Sequence, residues 1–378
     1  MAGIYLHIPF CDKACPYCDF YFLVSKQRIP EFIEAIISEI KLRKKEINEA
    51  IESIYFGGGT PSCLAKEELL LLMNAIEDNF EIDDQVEVTF EMNPEHVSAA
   101  RLHELHDAGI NRLSLGVQSF HDAELKQLGR QHDRAKALDC MRLVADSKIK
   151  NYSVDLIMGL PGQSVSNWEQ NIAQAIEFKP PHLSVYSLTV EPGTSLEHRI
   201  QKGQEKPIDP ELQASLYSYT YEELNKASYE AYEISNYSLS GKQSRHNSSY
   251  WKGVSYLGLG PSAHSFINAE RYSNPADLKS YLEAMTQGKL ASVKEDRTET
   301  NKLNEDIMIG LRLAKGLDLN ELSKKYGEYQ LKRILKLSKA HEDSGHLLND
   351  NNVLTLSLSG RLISDRISLD LFEDENDS

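Results

Sequence analysis

The stretch Leu6-His-Ile-Pro-Phe-Cys-Asp-Lys-Ala-Cys-Pro-Tyr-Cys-Asp-Phe20 carries three cysteines, Cys11, Cys15 and Cys18, spaced C-x3-C-x2-C, and it follows an apolar, strand-like run, Ile4–Ile8. Iron–sulfur cubes are ordinarily held by four cysteine thiolates. Three thiolates this close in sequence hold three irons and leave the fourth iron open, as a catalytic metal site keeps one position for substrate. An open iron can be chelated by the amino and carboxylate groups of S-adenosylmethionine, so the spacing suggests reductive one-electron chemistry. Spacing alone also leaves zinc open, because zinc takes closely set cysteines and His7 stands nearby as a fourth ligand.

Outward from this motif the first 190 residues repeat one plan, an apolar β-rich run, a turn, then a segment of helical period. The runs Ile4–Ile8, Ser53–Phe56, Val86–Phe90, Arg112–Val117, Tyr152–Ile157 and His182–Tyr186 read as strands. Helices are expected near Pro30–Asn48, Lys66–Asn79, Ser98–Ala108, Asp133–Ser147 and Ser164–Phe178, several opening on cap signals such as Ser98. Strand–helix alternation implies a parallel sheet with right-handed crossovers. The expected fold class is α/β, a partial (β/α)6 barrel related to the eightfold TIM barrel.

Polar groups and glycines collect where these strands end. Gly57-Gly-Gly-Thr60-Pro61 follows the second strand, Glu91-Met-Asn93-Pro94 the third and Gln118-Ser119 the fourth; Asp155 sits within the fifth and Tyr186-Ser187 ends the sixth. Carboxyl ends of parallel strands are where α/β folds place their sites. The triple glycine lets backbone approach a ligand without a Cβ in the way, and the Lys-Ser/Thr of a phosphate-binding P-loop is missing.

After Pro192 the alternation stops. We read 1–200 as the barrel, 201–300 as an extension with a tyrosine-rich helix near Glu211–Ala227, and 301–372 as a small winged-helix-like unit of three helices and a hairpin. Residues 373–378 form an acidic tail. The net charge of −16 argues against general nucleic-acid binding. No apolar run approaches the roughly 18 residues a membrane span needs, and no signal peptide is read before Cys11. Five cysteines, three of them crowded together, read as a metal site in a reducing cytoplasm rather than a disulfide framework. Cys63 and Cys140 have no motif around them and are expected to pack.

Taken together, the cysteine spacing, the GGGTP loop and the βα repeat resemble the radical S-adenosylmethionine proteins. Tyr5-Leu-His-Ile-Pro-Phe-Cys11, Phe56-Gly-Gly-Gly-Thr-Pro-Ser62, Gly116-Val-Gln-Ser-Phe120 and Asp155-Leu-Ile-Met-Gly-Leu-Pro-Gly162 resemble, more narrowly, the oxygen-independent coproporphyrinogen III oxidase group. Within that group the oxidase itself carries a fourth cysteine where this chain has Phe20, and a longer segment ahead of the His-Ile-Pro-Phe motif. Both departures, with Arg245-His246-Asn247-Ser-Ser-Tyr250-Trp251, are similar to the heme-chaperone branch. The alternatives are the oxidase reaction itself, or another radical enzyme on a different substrate.

The resemblance implies a [4Fe–4S] cluster on Cys11, Cys15 and Cys18, with S-adenosylmethionine bound by Tyr5, Tyr17, Gly58, Gly59, Thr60, Glu91, Gln118, Arg130 and Asp155. It implies heme bound through His246, Tyr250 and Trp251, with His246 as axial ligand, the two aromatics as packing surface and Arg245 for a propionate. From the segment alone, a histidine satisfied in the core beside core aromatics is the stronger reading. The implied partners are heme and an acceptor hemoprotein, such as a membrane-bound respiratory cytochrome reached from the cytoplasm, and a second copy of the chain.

Overall fold

The computed structural model describes residues 2–374; the acidic tail from residue 375 lies outside the described residues. Two compact units divide the chain, one of residues 1–216 with 239–295, the other of 217–238 with 296–378.

The first unit is built on six parallel strands paired in chain order: β1 (Ala2–Ile8), β2 (Ile51–Gly58), β3 (Ile82–Met92), β4 (Arg112–Gln118), β5 (Asn151–Met158) and β6 (His182–Ser187). Five crossovers carry α1 (Ile29–Arg43), α2 (Lys66–Glu77), α3 (Ala99–Asp107), the pair α4 (Asp122–Gln127) and α5 (Arg134–Asp146), and α6 (Val165–Glu177). This is the α/β partial barrel the alternation predicts. The caps hold as well: Ser98, Asp133 and Ser164 each accept from a backbone N–H of the first turn, which closes otherwise unpaired helix donors. The short helix α4 is absent from the sequence reading, because six residues are too few to show a helical period.

Side chains alternate between the two faces of a strand, and here the alternation is unusually complete. One face carries Ile4, Leu6, Ile54, Phe56, Val88, Phe90, Leu113, Leu115, Val154, Leu156, Leu183 and Val185, all buried. The other face carries Tyr5 and His7 on β1, Ser53 and Tyr55 on β2, Glu87, Thr89 and Glu91 on β3, Arg112 and Ser114 on β4, Ser153 and Asp155 on β5, His182 and Ser184 on β6. The register aligns them in rows, such as Tyr5 with Tyr55 and Thr89, or Glu91 with Ser114 and Ser153. Fully buried parallel strands normally read as near-continuous apolar runs; this barrel has a polar lining.

Beyond β1 the sheet continues in a way the sequence does not announce. Ser255–Leu259 pairs parallel with β1 on the side away from β2, and the antiparallel strands His264–Ile267, Glu270–Ser273 and Val293–Lys294 follow. Residues 201–300 thus divide between both units.

In the second unit the helices Glu299–Arg312, Leu319–Tyr326 and Glu328–Asp343 and the hairpin Leu347–Asp350/Val353–Leu356 enclose a core that includes Leu303, Ile307, Ile334, Leu354 and Ile367. The three helices and the hairpin expected from sequence for this part of the chain are present.

Candidate functional site

The cysteines sit on a loop cinched at its neck. Leu23 N–H donates to the Pro9 carbonyl (2.6 Å) and Cys11 N–H to the Leu23 carbonyl (2.9 Å). The triple-glycine loop then braces the start of this loop: Gly59 N–H donates to the Ile8 carbonyl and Thr60 N–H to the Phe10 carbonyl, both at 2.8 Å. This contact explains one glycine, since a Cβ on Gly59 would lie 2.8 Å from the Ile8 oxygen and 2.9 Å from the Phe10 oxygen. Gly58 has a φ of +104° and faces the His7 ring, a left-handed conformation that favours glycine. A Cβ on Gly57 would lie 2.8 Å from the Tyr55 ring, so each of the three glycines has a reason within the chain itself.

Each thiol has a polar neighbour or shares the field of the others. The Thr60 hydroxyl donates to Cys11 Sγ (3.3 Å), and Arg130 Nη1 reaches Cys15 Sγ at 3.8 Å. Burial pushes the Cys18 thiol up to about 11, and the Cys15 and Cys11 sulfurs add to the rise; Cys11 is raised chiefly by burial, against the Thr60 hydrogen bond. Such thiols ionise when a metal cation supplies the missing charge. His7 is no fourth ligand. Its Nε2 donates to the Tyr21 carbonyl (2.9 Å), which leaves Nδ1 to accept from the Tyr5 hydroxyl (3.2 Å).

Arg130 follows α4 and points back across the strand ends. Its Nη2 donates to Asn93 Oδ1 and to the Gly116 carbonyl (2.9 Å). Its buried Nε has no hydrogen-bond partner, so one N–H of a permanent cation is left for an acceptor beside the cysteines. Gln118 ends β4 at a φ of +67°, and the space over Gly116 is bounded by Gln118 Nε2, Arg130 Nη2 and Asn93 Oδ1. Tyr17 packs on Leu128, Ile157 and Leu160.

Deeper in the barrel lie the two acids. Glu91 accepts from the Tyr55 hydroxyl (2.7 Å) and is pushed up to about 7, mainly by burial and further by Asp155. Asp155 accepts from Ser114 Oγ (2.8 Å) and Ser153 Oγ (2.9 Å), yet burial still raises it. A carboxylate held this way ionises readily only against an incoming cation.

These residues fit the expected group. Three thiols on a braced loop, an orphaned arginine N–H and an acid awaiting a cation match a cluster carrying a zwitterionic, sulfonium-bearing ligand. Cys11, Cys15 and Cys18 would hold the irons, Arg130 a carboxylate and Glu91 an ammonium or hydroxyl group. When bound, the cluster and S-adenosylmethionine supply one-electron reductive cleavage of the sulfonium; the chain supplies orientation and exclusion of water.

His246, Tyr250 and Trp251 lie elsewhere. They occupy the short helix Arg245–Trp251, against the opposite, amino-terminal mouth of the barrel. His246 is buried beside Gly3 and Ser53, at the starts of β1 and β2, whereas the cysteine loop follows the other end of β1. Both ring nitrogens are engaged, Nδ1 with Ser53 Oγ and Nε2 with the Tyr250 hydroxyl, each at 2.8 Å. The ring stacks on Tyr55 with centroids 5.1 Å apart, and burial lowers its pKa to about 3. The Glu87 carboxylate accepts from the backbone N–H groups of Arg245 and His246, closing the helix N-terminus. In this arrangement neither nitrogen is open to a metal, which is the core-histidine geometry that the segment alone favours.

Sequence reasoning passed over Tyr55, Ser53 and Glu87, and named Asn93 only as part of the polar end of the third strand. The first three stand on the period-2 lining of β2 and β3, a signal present in the sequence as polar alternation. Asn93 had the weaker mark of an Asn-Pro pair closing β3.

Residues 5–175 match the radical SAM superfamily and residues 298–363 the HemN C-terminal domain. The chain is 33% identical over 372 residues to the heme chaperone HemW of Bacillus subtilis, covering 97% of this chain and 98% of the relative. It is 37% identical to the HemW of Haemophilus influenzae, over 74% of this chain and 75% of that one. The solved structure of the radical SAM enzyme coproporphyrinogen III oxidase from Escherichia coli superposes with a TM-score of 0.85 at 23% identity, covering 98% of this chain and 90% of the other, a likeness of fold. The braced three-cysteine loop at the carboxyl end of the barrel and the end-to-end match place this chain in the radical SAM superfamily, as a member of the HemW family.

Proposed function

We propose that this protein is a heme chaperone, which binds heme and passes it to an acceptor hemoprotein. The observation that carries the reading is the end-to-end similarity to a relative named as a heme chaperone. Phe20, 65% exposed beside the cluster loop where the oxidase would carry cysteine, agrees with it.

Heme is assigned to the segment 245–251. Its helix lies between Gly241 and Gly253, both left-handed (φ +71° and +64°), and this reading requires the helix to swing out about those two positions. Swinging out releases His246 Nδ1 from Ser53 and offers that nitrogen of the neutral ring to iron, while Tyr250, on the same helix, travels with Nε2. Arg245, half-exposed at the rim, then exchanges Glu52 and the Gln85 carbonyl for a propionate. Tyr250 and Trp251 supply the packing surface. The acceptor is a membrane-bound respiratory cytochrome, met peripherally: among the described residues no helix is long and apolar enough to cross a membrane. A homodimer is the working form.

Heme titration of the cluster-loaded protein tests this. A Soret shift is expected in the wild type, lost in His246→Ala. An unshifted spectrum in the wild type refutes heme binding, and an identical shift in the variant moves the iron ligand away from His246.

A further inference from the structure

Cys63 does not simply pack. It is half-exposed on the short 3-10 turn Pro61–Cys63 after the glycine loop, and its thiol donates to Asp12 Oδ2 at 3.3 Å. His96, on the turn Pro94–His96 after β3, brings Nε2 to the same oxygen at 2.8 Å. Sulfur, imidazole nitrogen and carboxylate oxygen all lie within 4.8 Å of one another. Three chain segments thus converge on one point: the cysteine loop through Asp12, the loop after β2 through Cys63, and the turn after β3 through His96.

The second ring nitrogen is also arranged. Nε2 donates to Asp12, so Nδ1 accepts from the Ser62 hydroxyl at 2.7 Å. Ser62 Oγ in turn accepts from the Asn93 N–H at 3.4 Å. A hydrogen bond to the non-ligating nitrogen is how proteins orient a metal-bound histidine. Asp12 meanwhile spends its other oxygen, Oδ1, on the Lys26 ammonium, which leaves Oδ2 to the sulfur and the imidazole.

We propose that Asp12, Cys63 and His96 form a mononuclear site for a zinc-type divalent cation that ties the cysteine loop to the ends of β2 and β3. One thiolate, one imidazole and one carboxylate are three ligands of the kind zinc takes, with a fourth position left to water. The exchange balances. The thiol proton leaves to solvent as the metal–sulfur bond forms. His96 shifts its proton from Nε2 to Nδ1, which then donates to Ser62 Oγ. Metal, thiolate and carboxylate sum to zero charge, so Lys26 keeps its place on Oδ1.

Cobalt(II), a zinc substitute whose thiolate bonds absorb light, is the probe. The cluster-loaded full-length protein, in which Cys11, Cys15 and Cys18 are occupied, is expected to take up one cobalt per chain with a thiolate-to-cobalt band, and zinc is expected to bleach it. Cys63→Ser should abolish the band, and Ser62→Ala should weaken binding about tenfold or more, as loss of a ligand-orienting partner does. A cluster-free variant with all three loop cysteines changed to alanine should still bind one cobalt if its far-ultraviolet dichroism matches wild type. No band in the cluster-loaded protein, or an unchanged band in Cys63→Ser, overturns the proposal; the cluster-loaded pair decides even where the triple variant does not fold.

Discussion

Replacing His246 by alanine separates two roles the residue can play. In the resting chain its ring bridges Ser53 Oγ and the Tyr250 hydroxyl, both at 2.8 Å, and stacks on Tyr55. Truncation leaves two buried hydroxyls without that partner, at about 1–3 kcal/mol each when nothing replaces it. Loss of the ring contact adds about 0.5–1.5 kcal/mol. Water entering the vacated space and rotation of the hydroxyls recover part of this, so a net loss of about 2–5 kcal/mol is expected, a large share of a typical stability of about 5–15 kcal/mol. Gln at this position, with a donor and an acceptor, should recover about half. The assay is favourable. The chain has two tryptophans, Trp168 and Trp251, and both belong to the barrel unit, so fluorescence in urea reports that unit alone. A loss below about 0.5 kcal/mol in the heme-free protein, the size of an ordinary surface substitution, would show that His246 does not anchor the helix and would refute the closed barrel mouth described above.

Gly59→Ala places a Cβ against two backbone oxygens of the cysteine loop; overpacking of this kind costs about 1–3 kcal/mol, and iron and sulfide per chain after reconstitution should fall well below the wild-type content. Arg130→Met keeps all three cysteines, so the cluster should still assemble, while S-adenosylmethionine affinity by equilibrium dialysis should drop about 10–100-fold for the loss of a charged hydrogen bond. The two buried titrating groups act in opposite senses on stability. Glu91 is raised from 4.5 to about 7, so the folded chain holds its proton; its stabilising effect is full below 4.5 and is lost as pH rises to about 7. His246 is lowered from 6.5 to about 3, so its effect is full above 6.5 and is lost as pH falls toward 3. Urea midpoints between pH 4.5 and 7 should therefore tilt upward with pH in Glu91→Gln and downward in His246→Gln, relative to wild type; equal slopes in all three would contradict both assignments.

How much of this was legible in the sequence depends on period. The six strands and their helices were readable because each apolar outer face is long enough to show itself, and the caps at Ser98, Asp133 and Ser164 marked helix starts. The cysteine loop was readable as chemistry, but its brace was not: nothing local says that Gly59 is needed by the Ile8 carbonyl. Helix α4 was too short to register, although it delivers Arg130. The strand Ser255–Leu259 joins β1 from far along the chain, a long-range pairing that local propensity cannot foretell. The segment 245–251 shows the opposite limit. Its residue types suit a heme ligand and a core histidine alike, and only three-dimensional placement reveals that Ser53, Tyr55 and Tyr250 surround the ring.

The polar lining of the barrel separates what folds this unit from what it does. The outer face, with Ile4, Leu6, Phe56, Phe90, Leu115 and Leu156 buried beneath the helices, supplies the hydrophobic driving force. The inner face works against it. Glu87 and Arg112 are buried and ion-paired at 3.8 Å, and Thr89 Oγ1 and Arg112 Nε have no hydrogen-bond partner. A buried pair at that distance recovers its desolvation cost poorly, and apolar residues of similar volume would be as stable or more so. An interior that stability does not demand, repeated on six consecutive strands, is an interior kept for ligands. It opens at the carboxyl end on the cysteine loop, Arg130 and Gln118, and is closed at the amino end by the helix that carries His246. Tyr5 and Tyr55 span the distance between them, in ring contact with each other and with His246, while the Tyr55 hydroxyl holds Glu91. Were the His246 helix to move as proposed, it would take a packing partner from the ring whose hydroxyl holds Glu91, the acid proposed to meet the cofactor, and so would couple the two ends of the barrel.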